Sequence, residues 1–119
     1  MKNPDTGLAR LRSAVRFSRQ GLASAYRTEA AFRQEVWLTM VLVPLALVVG
    51  DTWLERAALI STTVLLLIVE LLNSAIESVV DRFGDEHHEL SGRAKDMGSA
   101  AVLLTMVILT TVWLAALAT

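Results

Sequence analysis

The sequence predicts an all-α membrane protein: an N-terminal amphipathic surface helix followed by three transmembrane helices. Three observations carry this prediction. Hydrophobic residues make up 54% of the 119 positions and the mean hydropathy is +0.50, high for a chain with room for only one compact unit. Apolar runs long enough for membrane spans follow one another with short polar breaks. Seven of the eleven basic residues (Lys2, Arg10, Arg12, Arg16, Arg19, Arg27 and Arg33) precede the first of those runs, so the net charge of −1 conceals a strong asymmetry.

Residues 1–28 form the first unit. Leu8, Leu11, Val15, Leu22 and Tyr26 recur at helical steps with arginines between them, the pattern of a helix lying flat on an anionic membrane surface. Gly21 is a point where it loosens. A soluble amphipathic helix gives the same periodicity, but the apolar runs that follow favour the interfacial placement. The segment is Arg-rich and acid-poor like a transit peptide, yet no mature soluble domain follows it. It lacks the apolar stretch of a secretory signal.

Residues 29–119 form the second unit, a three-helix bundle. The first span covers about Val36 to Val49 and extends back over Ala30, Ala31 and Phe32, with Pro44 as a kink site. Gly50-Asp51 ends it, and Thr52-Trp53-Leu54-Glu55 reads as a capping box opening the next helix. So short a connection makes an antiparallel hairpin. The second span begins near Ala57, and its periodicity persists through Asp81. A polar loop from Gly84 to Arg93 carries turn signals at Gly84 and Ser91-Gly92. The third span, Met97 to Thr119, holds no charge and opens on Gly98-Ser99-Ala100-Ala101, small residues that let helices approach closely. The positive-inside rule puts the N-terminus and the second loop in the cytoplasm and the C-terminus outside. Trp37, Trp53 and Trp113 fall near span ends, where interfacial aromatics belong.

Glu70, Asn73, Glu77 and Asp81 share a helical stripe about 80° wide. A carboxylate facing lipid costs several kcal/mol, so the stripe faces a protein interior or a wet crevice. Several acids on one face repel one another unless a cation sits among them, and the apolar runs supply no lysine or arginine. A bound metal ion is the natural counter-charge, and oxygen-only ligands without cysteine favour a hard cation such as Mg²⁺. Glu29 and Glu35 lie where the surface helix turns into the first span, at the depth Glu77 and Asp81 reach from the other side. Glu70 sits about 10 Å deeper, where a carboxylate withdrawn from water becomes a better proton acceptor. A deep acid, an interfacial metal site and a loop with Arg93 and Lys95 suggest phosphoryl transfer to a membrane-embedded hydroxyl. His87-His88-Glu89 reads as solvated loop rather than metal site. Neither a Walker A sequence nor GxGxxG occurs, so a soluble nucleotide-binding fold is unsupported, and the lack of cysteine excludes thiolate chemistry.

Three segments carry a family resemblance: 29–35 (EAAFRQE), 69–82 (VELLNSAIESVVDR) and 88–101 (HELSGRAKDMGSAA). At these residues the chain resembles the prokaryotic diacylglycerol kinases, small integral lipid kinases of the bacterial inner membrane. The resemblance implies a homotrimer that transfers the γ-phosphate of ATP to diacylglycerol, giving phosphatidic acid, with Mg²⁺ as cofactor. It implies Glu70 as catalytic base and Glu29 and Glu77 as ligands of the ATP-bound Mg²⁺. Arg10, Phe17, Glu86, His87, His88, Lys95 and Asp96 match nucleotide-contacting positions, with Lys95 on the phosphates. Glu35, Asn73 and Asp81 match polar positions around the site, and Ser99 joins them as substrate or polar support. Phe17 and His87 stand where tyrosines are familiar, and Arg19 where a tryptophan is, so stacking survives at Phe17 but a hydroxyl contact does not.

Three other readings compete. The undecaprenol kinases of the same family share the architecture, although the ELSGRAKD form of the third segment is closer to the diacylglycerol branch. A small ion or proton pathway would explain the buried acids but not the basic loop. An assembly subunit using the polar stripe as glue is a third possibility.

Overall fold

The computed structural model describes residues 6–84 and 88–119 and contains four helices, α1 (Gly7–Thr28), α2 (Ala30–Val49), α3 (Trp53–Asp81) and α4 (Glu89–Ala118). Three of them, α2, α3 and α4, are long and apolar enough to cross a membrane. The all-helical architecture and the number of spans agree with the sequence. Glu86 and His87, two of the positions singled out above, lie outside the described residues.

Helix α3 is the hub. It packs along α4 and along α2, and it touches α1. Its start follows from a local cap: the Thr52 hydroxyl accepts from the Glu55 backbone N–H at 3.1 Å, satisfying one of the donors that a helix start leaves open. Gly50 makes the hairpin tight, because a Cβ there would meet Arg56 Cγ at 2.5 Å and the Ala46 carbonyl oxygen at 3.0 Å. Arg56 donates from Nε to the Leu47 carbonyl at 3.2 Å and lies 4.6 Å from the Trp53 ring, so the single basic residue of this end is held by its own hairpin. Below it Ala46, Leu59, Trp113 and Ala116 form the apolar core.

Several boundaries differ from the sequence reading. Helix α2 passes through Pro44 unbroken, although proline removes one backbone donor. Gly21 likewise leaves α1 continuous. Helix α4 begins at Glu89, eight residues before the apolar run, so Ser91 and Gly92 are helical and not a turn. The turn lies earlier, where Gly84 takes φ +97° and its N–H bonds to the Asp81 carbonyl at 3.1 Å. The side chain of His88 starts α4, its Nδ1 accepting from the Leu90 N–H at 3.1 Å. Trp113 is buried in the core, not displayed as an interfacial aromatic.

Many hydroxyls of the spans are satisfied locally. Thr39, Thr63, Ser78, Thr105 and Thr111 each donate to the carbonyl four residues back, which removes the cost of placing a hydroxyl in an apolar medium. A carboxylate has no such recourse, since it only accepts. The chain is also open. Its radius of gyration is 17.2 Å, against about 13.5 Å for a compact domain of this length, and most large apolar side chains of the spans face outward.

Candidate functional site

Helical periodicity places Glu70, Asn73 and Glu77 on successive turns of one face of α3. The Asn73 amide donates to Glu77 Oε1 at 3.0 Å and also lies within hydrogen-bonding reach of the Glu70 carboxylate, so it bridges the two acids. Glu70 is only 5% exposed and its Oε2 has no partner among the described residues. Glu35, reaching in from α2, is 7% exposed and likewise leaves Oε2 unpartnered. The charge of Glu70 couples to those of Glu77, Glu29 and Glu35. Carboxylates from the α1–α2 junction, α2 and α3 therefore each act on Glu70, and Glu29 and Glu35 join the stripe that the sequence places on α3. Asn73 meets α4 at Gly98, where any Cβ would collide with Asn73 Oδ1. Gly98 thus sets how closely α4 approaches the bridge between the two acids.

A cavity of about 520 Å³ opens between α1 and α3. Glu29 lines it from the junction between α1 and α2, and Ser74 and Ser78 line it from α3. Ser18, Ser24 and Thr28 contribute hydroxyls from α1. These hydroxyl residues do not stand out in the sequence. The signal was present on α3, because Ser74 and Ser78 follow Glu70 at steps of four. On α1 it was masked by the arginines, which draw attention to the opposite chemistry.

Lys95 reaches back from α4 to form an ion pair with Asp81 at 2.6 Å, across the turn that joins α3 to α4. The His88 ring accepts at Nδ1 in capping α4, which leaves Nε2 as the outward N–H donor. Phe17 is half exposed, and the Arg16 guanidinium sits 5.0 Å from its ring. Arg10, Asp96 and Ser99 are exposed and do not line the cavity.

Among the described residues no three His, Cys, Asp or Glu side chains converge as a closed metal cage. That donor set still fits Mg²⁺ delivered with a nucleotide, because Mg²⁺ keeps waters and takes one or two carboxylates plus phosphate oxygens. Glu29 and Glu77 are the two carboxylates nearest that description: both couple to Glu70, and neither is fully buried. A zinc-type site finds no support, as the surrounding donors are oxygens.

Three membrane-length helices with buried acids, beside a largely apolar cavity that carries Glu29 and several hydroxyls, define a polytopic membrane protein with a polar cluster inside it. Comparison with known proteins gives the class its family. The profile described as prokaryotic diacylglycerol kinase matches residues 16–117. Proteins named diacylglycerol kinase from Haemophilus influenzae and Escherichia coli K12 are each 50% identical, over 91% and 95% of this chain and 92% and 93% of their own lengths. One from Helicobacter pylori strain 26695 is 42% identical over 90% of this chain and 84% of its own. The chain belongs to the prokaryotic diacylglycerol kinase family, and it is an enzyme, a kinase.

Proposed function

We propose that this protein transfers the γ-phosphate of ATP to the free hydroxyl of diacylglycerol, producing phosphatidic acid within a bacterial inner membrane. The observation that carries the reading is Glu70: a buried carboxylate with an unpartnered oxygen, tied through Asn73 to a second acid near the helix end. In this role Glu70 Oε2 accepts the proton of the lipid hydroxyl as that oxygen attacks phosphorus. Asn73 fixes the distance between Glu70 and Glu77. Glu29 and Glu77 hold the Mg²⁺ carried by ATP, which when bound neutralises charge on the transferring phosphoryl group.

Other residues bind and orient. Lys95 exchanges Asp81 for phosphate oxygens when nucleotide enters. Arg10, His88 and Asp96, with Glu86 and His87, contact the nucleotide, and Phe17 offers a ring face to it. Glu35 and Ser99 hold the polar head of the lipid beside Glu70. Residues 1–28 lie on the cytoplasmic membrane surface and residues 29–119 form the kinase unit. Helix α1 supports this placement, since it buries Ser13 and Ala25 while Leu8, Leu11 and Val15 stay exposed to another medium.

The N-terminus is cytoplasmic and the C-terminus lies outside, a reading that the distribution of Lys and Arg supports. The working form is a homotrimer, which the outward-facing apolar surface and the small buried core of one protomer favour. The test is purified protein in mixed micelles with radiolabelled ATP and either diacylglycerol or undecaprenol. Label in diacylglycerol alone is the expected result. Label in undecaprenol alone would reassign the substrate, and label in neither would remove the kinase reading of these residues. The names of the relatives above do not favour undecaprenol.

A further inference from the structure

The break between α1 and α2 has no ordinary cause. Residues 28–31 are Thr-Glu-Ala-Ala, with neither glycine nor proline, and alanine is the strongest helix former. Yet Glu29 takes φ −113° and ψ 107°, and the helix stops and restarts around it. The Glu29 N–H still closes α1 by bonding to the Ala25 carbonyl at 2.9 Å, and the Arg33 N–H opens α2 by bonding to the Glu29 carbonyl at 3.1 Å. In a continuous helix the Tyr26 and Arg27 carbonyls would accept from the N–H groups of Ala30 and Ala31. The break takes those donors away.

Arg33 replaces them. Its Nη1 donates to the Tyr26 carbonyl at 2.8 Å and to the Arg27 carbonyl at 3.0 Å. One guanidinium, from the first turn of α2, thus satisfies two carbonyls that the break leaves open at the end of α1. Charge-assisted bonds of this kind are stronger than neutral ones, and the planar guanidinium is ordered at low entropic cost. The outcome is an elbow with Glu29 at its apex, lining the cavity opposite Ser74 and Ser78.

We propose that Arg33 is a positioning residue: by bonding to the Tyr26 and Arg27 carbonyls it holds the elbow that presents Glu29 to the Mg²⁺-nucleotide. The inference rests on the metal-holding role given above to Glu29. Two measurements test it on full-length protein in mixed micelles. The first is hydrogen exchange of the backbone amides over residues 26–33, which needs neither metal nor nucleotide. The second is the half-saturating concentration of Mg²⁺-ATP, read beside that of the lipid.

In Arg33→Gln the elbow amides should exchange faster while those of α3 keep their rates. The Mg²⁺-ATP requirement should rise about tenfold with the lipid requirement unchanged. Arg33→Lys, which keeps the charge but not the fork, should fall between, and it carries the test if the glutamine variant does not fold. Unchanged elbow exchange, or nucleotide and lipid requirements moving together, would overturn the proposal. Glu29→Gln separates the two readings. It should raise the Mg²⁺-ATP requirement without altering elbow exchange. If it leaves that requirement untouched, the metal role of Glu29 fails, while elbow exchange in Arg33→Gln still reports whether the staple exists.

Discussion

The two ends of the bundle handle charge in opposite ways. At the hairpin end, Gly50 lets α2 and α3 close tightly, Arg56 is bonded to the Leu47 carbonyl and stacked on Trp53, and an apolar core of Ala46, Leu59, Trp113 and Ala116 lies beneath. At the other end Glu29, Glu35 and Glu77 surround Glu70 closely enough to act on it, and Glu35 and Glu70 are buried with an oxygen that has no partner among the described residues. The hairpin end keeps unpartnered atoms of its own, Glu55 Oε1 and the Trp113 indole nitrogen. The difference is that those are single groups, whereas the acids are like charges held together. A chain gains nothing in stability by gathering acids in an apolar medium. One end holds the fold, and the other is held by it.

That contrast can be broken from either side. The largest effect should come from removing divalent cations: chelation with EDTA should abolish phosphorylation and leave the helix content seen by circular dichroism unchanged. Activity surviving chelation would detach the acids from any metal. Gly98→Ala should act next most strongly. Its Cβ displaces the Asn73 side chain, so the bridge between Glu70 and Glu77 is lost, and turnover should fall about tenfold with a much smaller loss of thermal stability. Equal losses in both would make Gly98 a packing residue only. Gly50→Ala should give the reverse pattern, destabilising by about 1–3 kcal/mol while leaving both substrate requirements near those of the parent. A changed nucleotide requirement in that variant would mean the two ends are not separable.

Much of this was legible in the sequence. The spans follow from apolar length, the hairpin from Gly50-Asp51 and the Thr52 cap, and the acidic face from steps of three and four between Glu70 and Glu77. What escaped depended on contacts that hydropathy and residue identity do not register. Helix α4 begins before its apolar run because His88 caps it and polar residues continue the helix toward α3, which hydropathy does not register. Trp113 reads as interfacial from its position, yet the small residues Ala46 and Ala116 leave a site for it in the core. The Arg33 staple was invisible for another reason. It bonds to backbone carbonyls, and nothing in the identities of Tyr26 and Arg27 announces that their carbonyls are free to accept.

The central claim is that Glu70 is held buried, with one oxygen unpartnered among the described residues, in order to take a proton from the lipid. The direct measurement is turnover of Glu70→Gln in diacylglycerol mixed micelles, with binding of a non-hydrolysable ATP analogue measured on the same preparation. The amide preserves shape and the Asn73 contact but removes the basic oxygen. Turnover should fall about 10²–10⁴-fold with analogue binding intact; near-parental turnover would contradict the account.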